Sequence, residues 1–365
     1  MLNLYRRHTP KCPHRDKGQN YTKCPCPIWC DGELSGKRTR RAVGLRDWAR
    51  AVRRIEKWET AAKDSGAAME PARTVAQAIE SYLGDCRARK LADSTVRSYE
   101  KTLEHLAAFM DGGGLRTIED LDLSALTDFR AARRYTPHGE DDERDIAAST
   151  SRKELEALRA FCAFAAKRGW IEQNHARDVR PPKEDRLPTL PFEPEELDRI
   201  LGACDNLEDD NPMALPRTRA RARAMILTML YSGLRISDTV PLRRTTVDLD
   251  TGKLLLRVMK TGAPLYVRLG APAIEALAAL PDDGEYFFWN GRSKLMTAIG
   301  NARKTISRVL AVAGIEGHPH RFRDTFSVRL LENGEDLHTV QLLLGHTSIK
   351  TTEKHYAPFV QSFQR

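Results

Sequence analysis

Apolar residues recur at helical spacing through much of the chain. Val75, Ile79, Tyr82 and Leu83 fall on one face of a first helix. Val96, Tyr99, Leu103, Leu106 and Phe109 fall on one face of a second, with Ser94 or Asp93 to cap it and Asp111-Gly112-Gly113-Gly114 to break it. Residues 121–129 predict a short third helix. Leu155, Leu158, Phe161, Cys162, Phe164 and Ala165 line a fourth, ended by Gly169, and leave Cys86 and Cys162 as packed residues. The polar, acid-rich run 136–145 has no hydrophobic period and predicts a loop. Farther on, residues 192–204 predict a helix with Pro194 in its first turn and Glu195-Glu196 near the positive end of its dipole. Residues 219–232 predict an apolar helix that Gly233 interrupts.

The period then changes to that of strands. Residues 253–258 and 265–269 flank the turn-rich Met259-Lys260-Thr261-Gly262-Ala263-Pro264, which predicts a hairpin with Lys260 near its tip. Pro319 favours a helix start at His320, and Gly345 ends a later helix just before His346. Tyr356 lies in a last helix that Pro358 is expected to end. At the other end of the chain, residues 28–48 read as short strands punctuated by Gly-containing turns, hence a small antiparallel sheet, and residues 47–63 as a helix.

Two linkers divide these elements. One is soft, at residues 64–71; the other is proline-punctuated and charged, at residues 181–188. The expected domains are therefore 1–63, 73–180 and 187–365, which 365 residues are enough to furnish with separate cores. Hydrophobic content of 41% and charged content of 30% describe a water-soluble protein; with no apolar run of bilayer length and no signal-peptide core, the expected location is the cytoplasm, with no membrane partner. The net charge of +9 is carried by the first sixty residues, where 15 Lys+Arg face 6 Asp+Glu. A basic module on a formally neutral body suggests a handle for a polyanion.

The seven cysteines are an odd number, four of them crowded between Cys12 and Cys30, and this points to metal rather than to disulfides. The pairs Cys12-x-His14 and Cys24-x-Cys26 can place four ligands around a structural Zn²⁺, with Cys30 or His8 as the replacement for one of them.

The last forty-six residues carry the chemistry. His320-Arg321-Phe322-Arg323, Leu344-Gly345-His346 and Tyr356 follow in order, and Arg235 stands upstream in Tyr231-Ser232-Gly233-Leu234-Arg235-Ile236-Ser237-Asp238. Guanidiniums offer paired donors to a phosphate and stay charged at any relevant pH. His320 and Arg323 share a helix face, and a helix N-terminus attracts phosphate in its own right. This order resembles the tyrosine recombinase (phage integrase) family over residues 187–360. The helices of 73–182 resemble that family's core-binding domain, and the basic N-terminal layout resembles its arm-binding domains. Where the family usually has Pro after Asn174, this chain has His175; where many relatives have His, it has Asp324, an acid that orients Arg323 or weakens the local positive potential.

The resemblance implies a fold that is mainly α with small β-sheets (α+β). It comprises a helical, SAM-like core-binding domain and a mixed α/β catalytic domain, preceded here by a small zinc-binding β module. It implies a catalytic set of Arg235, Lys260, His320, Arg323, His346 and Tyr356. Tyr356 would attack to form a 3′-phosphotyrosine, Lys260 would protonate the leaving 5′-oxygen, and His320 would help move the tyrosine proton. No catalytic cofactor is implied. The partners implied are double-stranded DNA carrying the recombination sites and a homotetramer on synapsed DNA, with monomers or dimers before, together with an accessory DNA-bending or directionality factor. The reaction implied is integration or excision of a mobile element. The alternatives are a non-catalytic zinc-containing DNA-binding protein on the same fold and a type IB topoisomerase-like enzyme. No Walker loop and no two-metal acidic cluster stands in the sequence.

Overall fold

The computed structural model describes all residues except 9–11, 35–36, 46, 66–72, 137–141, 184–188, 209–212, 214 and 364–365. Most of both linkers and the tip of the 136–145 loop therefore lie outside the described residues. The chain divides into two compact units, Met1–Asp185 and Arg186–Arg365.

The first unit begins with a strand for which the sequence carries little pattern. β1 (Leu2–Arg6) pairs antiparallel with β2 (Ile28–Leu34), which pairs with β3 (Lys37–Ala42), in the order β1-β2-β3. Leu2, Ile28, Cys30 and Val43 form a small core with Ala51, Ile55 and Trp58 of α1 (Trp48–Ser65). A helical bundle follows: α2 (Val75–Ala88), α3 (Asp93–Gly112), α4 (Leu123–Ala131) and α5 (Ala148–Lys167), with the two-residue strands β4 (Arg134–Tyr135) and β5 (Arg144–Asp145) between the last two. The apolar stripes read from the sequence meet in one core around Leu103, Leu106, Phe129 and Phe161, and Cys86 and Cys162 are packed within it. The cap of α3 is Ala92, without a side-chain bond; neither Ser94 nor Asp93 fills that place.

Charged pairs fasten α1 to the bundle. Arg54 donates to Val43 O and Thr117 Oγ1, both at 3.0 Å, and pairs with Asp120, a carboxylate only 1% exposed. Asp120 in turn accepts from Thr117 N (3.0 Å). Arg50 donates to both oxygens of Asp122, which also caps α4 through Ala125 N.

The second unit holds α6 (Pro194–Asp205), α7 (Leu215–Ser232), α8 (Ile236–Thr239), the hairpin of β6 (Lys253–Arg257) and β7 (Pro264–Arg268), then α9 (Ala271–Ala278), α10 (Leu295–Val312), α11 (His320–Glu332), α12 (Leu337–Leu344) and α13 (Ile349–Phe363). α7 runs through the centre of a large core, with Ala224, Ile226 and Met229 fully buried. A second cluster, Val328, Leu331, Val340, Leu344 and Tyr356, joins α11, α12 and α13. One expectation fails here: Pro358 lies inside α13, which runs on to Phe363. The proline removes one intrahelical bond, but Phe359 and Val360 beyond it pack on that second cluster and hold the last turns helical. No helix of the described residues is long and apolar enough to cross a membrane.

Replacing Arg54 by Ala leaves Asp120 buried and unpaired. The expected cost is about 3–5 kcal/mol, read as a drop in the urea midpoint of the full chain followed by the fluorescence of Trp58 and Trp170. An unchanged midpoint means that the pair contributes nothing.

Candidate active site

The site is organised around a guanidinium. Arg323 sits in the first turn of α11, and its residue is 1% exposed. Nη1 donates to Gly233 O (2.6 Å) and Nη2 to Leu344 O (2.7 Å). Gly233 follows the last turn of α7, and Leu344 is the last residue of α12. Carbonyls at helix C-termini carry partial negative charge, so two helix ends converge on this cation. Burial first, and then the neighbouring charge of Arg235, lower the Arg323 pKa to about 10, which leaves it a cation at neutral pH. Glycine is required at 233: φ is +64°, and a Cβ there would lie 2.5 Å from Phe326 and 3.0 Å from Leu344.

Two residues beyond Gly233, Arg235 caps the short α8. Its Nη1 is buried without a hydrogen-bond partner, as is Nε of Arg323. Buried donors left bare are uncommon and costly. Asp238, on the same turn, accepts from Met259 N (2.7 Å) through Oδ1, and burial raises its pKa. That bond ties the hairpin end to the arginine turn. Lys260 is the next residue; it is exposed, in the turn between β6 and β7.

His346 has a defined proton pattern. Arg323 Nη2 lies 2.9 Å from Nε2, and a guanidinium can only donate, so Nε2 is the unprotonated acceptor. Nδ1 then carries the hydrogen and donates to Thr352 Oγ1 at 2.9 Å. In this state the His346 lone pair orients Arg323. Burial, followed by Arg323 and Arg235, lowers its pKa to about 3. For His320, burial and the same two cations lower it to about 4. The His320 surface is open to solvent, so the repulsion from the two guanidiniums is the better supported cause. Both rings are neutral at pH 7.

Tyr356 is 3% exposed and in mid-helix on α13. Its Oη donates to Asp324 Oδ1 at 2.8 Å. Burial, and next the Asp324 charge, push the phenol pKa up; burial also raises that of Asp324. Asp324 thus faces the tyrosine, a contact between side chains 32 residues apart that sequence spacing does not disclose. His355 is adjacent in sequence, is exposed, and adds only its charge to the surroundings. Arg321 points elsewhere: it donates to Glu196 (2.8 Å) and stacks on Phe192. The structure therefore brings together Arg235, Arg323, His346, His320 and, against Asp324, Tyr356. It leaves Lys260 at the exposed hairpin end, joined to the rest through Asp238. Asp238 and Thr352 are site residues that sequence reading misses; the Ser237-Asp238 that follows Arg235 was the available signal for the first.

A separate cluster lies in the first unit. One ligand atom each from His8, Cys12, Cys24 and Cys26 lies within 4.8 Å of the others. His8 Nδ1 is 3.4 Å from both Cys12 Sγ and Cys24 Sγ. His14 is outside the cluster, with its ring on Tyr21 at 4.9 Å, because the 3₁₀ turn that it caps carries it away. Cys30 is in the core of the sheet, with Sγ on Arg41 O. No disulfide joins the cysteines.

Comparison with known proteins places this geometry. The Phage integrase family model matches residues 191–360, and the Phage integrase SAM-like domain model matches residues 74–180. The chain is 32% identical over 300 residues to tyrosine recombinase XerD of Mycobacterium tuberculosis, covering 77% of this chain and 93% of that one. It is 30% identical over 277 residues to tyrosine recombinase XerC of Pelobacter propionicus, covering 73% and 85%. Among solved structures, the fold is similar to a lambda integrase dimer bound to a COC′ core site, with a TM-score of 0.60 at 17% identity over 90% of this chain and 91% of that one. It is also similar to a lambda integrase tetramer bound to a Holliday junction, with a TM-score of 0.58 at 18% identity over 88% and 93%. With both halves matched in order and its arginines and tyrosine gathered at one site, the chain belongs to the tyrosine recombinase (phage integrase) family and is a site-specific DNA recombinase.

Proposed function

We propose that this recombinase integrates or excises a mobile element, cutting and rejoining DNA through a 3′-phosphotyrosine on Tyr356. The observation that supports this reading most is the pair of bare donors, Arg235 Nη1 and Arg323 Nε. Such donors suit the oxygens of an anion. A phosphodiester is the anion whose chemistry uses the nearby phenol. As the phosphorus becomes pentavalent, charge grows on its oxygens, and two fixed guanidiniums offset it without reorganising. Lys260, on the exposed hairpin end, protonates the departing 5′-oxygen. The phosphotyrosine conserves the energy of the broken bond, so no catalytic cofactor is needed. The implied partners are duplex DNA at two recombination sites and four copies of the chain on synapsed DNA. An accessory DNA-bending or directionality factor would act beside them.

In the first unit we infer a structural Zn²⁺ held by His8, Cys12, Cys24 and Cys26. The 3.4 Å sulfur–nitrogen separations fit ligands about 2.0–2.3 Å from one ion at tetrahedral angles. Arg6, 3% exposed, donates to Cys26 O and Thr22 O and lies beside the cluster, where its charge offsets that of three thiolates. The ion would pin the long excursion between β1 and β2. The open side of that sheet carries Tyr5 and Trp29 together with Arg38 and Arg40, both paired with Asp31, and Glu33, a face of mixed charge and aromatic rings.

Four outcomes check these readings. On a nicked duplex carrying the site that flanks its own gene, the wild type forms a denaturant-resistant protein–DNA adduct and Tyr356→Phe forms none. Tyr356→Phe that still traps DNA covalently, or a wild type that never does, removes the phosphotyrosine. Arg235→Ala slows adduct formation by about 10²–10³-fold. Lys260→Ala slows it by a factor in the range of about 10²–10⁴, but recovers on a substrate whose bridging 5′-oxygen is sulfur, because a thiolate leaves without a proton. Metal analysis of the purified protein gives about one zinc per chain, lost in Cys24→Ser/Cys26→Ser and in His8→Ala and retained in His14→Ala; retention in His8→Ala with loss in His14→Ala overturns the ligand set.

A further inference from the structure

Tyrosine attack leaves a proton to be placed. The phenol must lose it as the oxygen–phosphorus bond forms, and at neutral pH free phenol is a weak nucleophile with a pKa near ~10. His320 is the acceptor that the family resemblance implies, but its surroundings do not favour that role. Two guanidiniums, Arg323 and Arg235, face it and disfavour its protonation. Tyr356 Oη instead gives its hydrogen bond to Asp324 Oδ1 at 2.8 Å.

We propose that Asp324 is the group that accepts the phenolic proton of Tyr356 during DNA cleavage and returns it during rejoining. The inference rests on the phosphotyrosine reading above. Its warrant is position. Arg323 and Asp324 are both on α11, and Arg323 and Tyr356 lie near enough for each to act on the other's charge, so a phosphate drawn to the guanidinium comes close to the oxygen hydrogen-bonded to Asp324. Tyr356 is buried in the free protein, and its acceptor is on the helix that carries the arginine. A carboxylate kept from water is also a better base than an exposed one, and burial is the first cause of the raised pKa of Asp324. The charged or titratable groups that face Asp324 are Tyr356, Arg323, His318 and His355.

The step balances. The O–H bond of Tyr356 breaks, its proton passes to Asp324, and its electron pair forms the bond to phosphorus. The P–O5′ bond breaks, and the leaving oxygen takes a proton from Lys260. In rejoining, the 5′-hydroxyl gives its proton back to Lys260, its oxygen bonds to phosphorus, the phosphotyrosine bond breaks, and Asp324 reprotonates the phenolate.

The test is single-turnover adduct formation on the nicked duplex, with either oxygen or sulfur at the bridging 5′ position. Asp324→Asn keeps an oxygen to accept the tyrosine hydrogen bond but cannot take the proton. The expected result is a fall of about 10²-fold or more on both substrates, in contrast to Lys260→Ala, which sulfur rescues. Asp324→Glu should regain most of the rate, and the thermal transitions of both variants should match the wild type. Asp324→Asn as fast as wild type overturns the proposal, since the contact is then incidental. A faster Asp324→Asn overturns it as well, since Asp324 would then only restrain the tyrosine. An Asp324→Asn that is slow with oxygen but rescued by sulfur overturns it too, by placing the residue on the leaving-group side. If the wild type forms no Tyr356-dependent adduct, the phosphotyrosine reading falls and this inference with it; an adduct in the wild type together with an unimpaired Asp324→Asn removes the inference alone.

Discussion

A guanidinium almost sealed from water is the constraint that the catalytic unit is built to satisfy. Burying a cation is costly unless its hydrogen bonds are met. The protein meets this cost for Arg323 largely with backbone carbonyls, from the end of α7 and the end of α12, and with the lone pair of His346. Partial charges of this kind hold the cation without neutralising it. A direct carboxylate partner would have fixed the arginine as well and spent much of its attraction for phosphate. The requirement reaches back into the sequence: α7 must end where Gly233 can take a positive φ, and α12 must end at Gly345, whose φ is +62°.

The elements that bear the site were legible because each has a strong local signature. The apolar stripe of α7, the turn between β6 and β7, the helix start after Pro319 and the glycine after Leu344 all record local backbone chemistry. The residues proposed as catalytic could be picked out because their order along the chain is itself a pattern. What could not be read depends on approach in space. The spacing of Cys12 and His14 mimics that of Cys24 and Cys26, yet loop closure puts His8 among the sulfurs and turns His14 toward Tyr21. Proline at 358 is a strong local stop signal, overridden by the packing of Phe359 and Val360. β1 is short and basic at its end, and it exists because β2 supplies a partner. The direction of the His346 proton and the contact between Asp324 and Tyr356 belong to the same class, since a hydrogen bond between distant residues leaves no trace in spacing.

Charge is distributed by task. The formal excess lies in the first sixty residues, around a sheet whose exposed side mixes arginines, carboxylates and aromatic rings. The catalytic unit does not attract by excess. Asp238 and Asp324 accompany Arg235 and Arg323 inside it, and the attraction for phosphate proposed there would come from a few donors held bare in fixed places. Long-range attraction weakens with salt, whereas short-range capture in a water-poor site is screened much less.

The bond from Met259 N to Asp238 Oδ1 makes the hairpin a lever with its fulcrum at the arginine turn. Should the hairpin swing, a second oxygen of a buried carboxylate would lose its partner, since Oδ2 already lacks one. The stiffness of the lysine-bearing end is therefore set beside Arg235 and not at the tip. Linkage of this sort runs in both directions: a load on the hairpin end is felt as tension on the turn that presents Arg235.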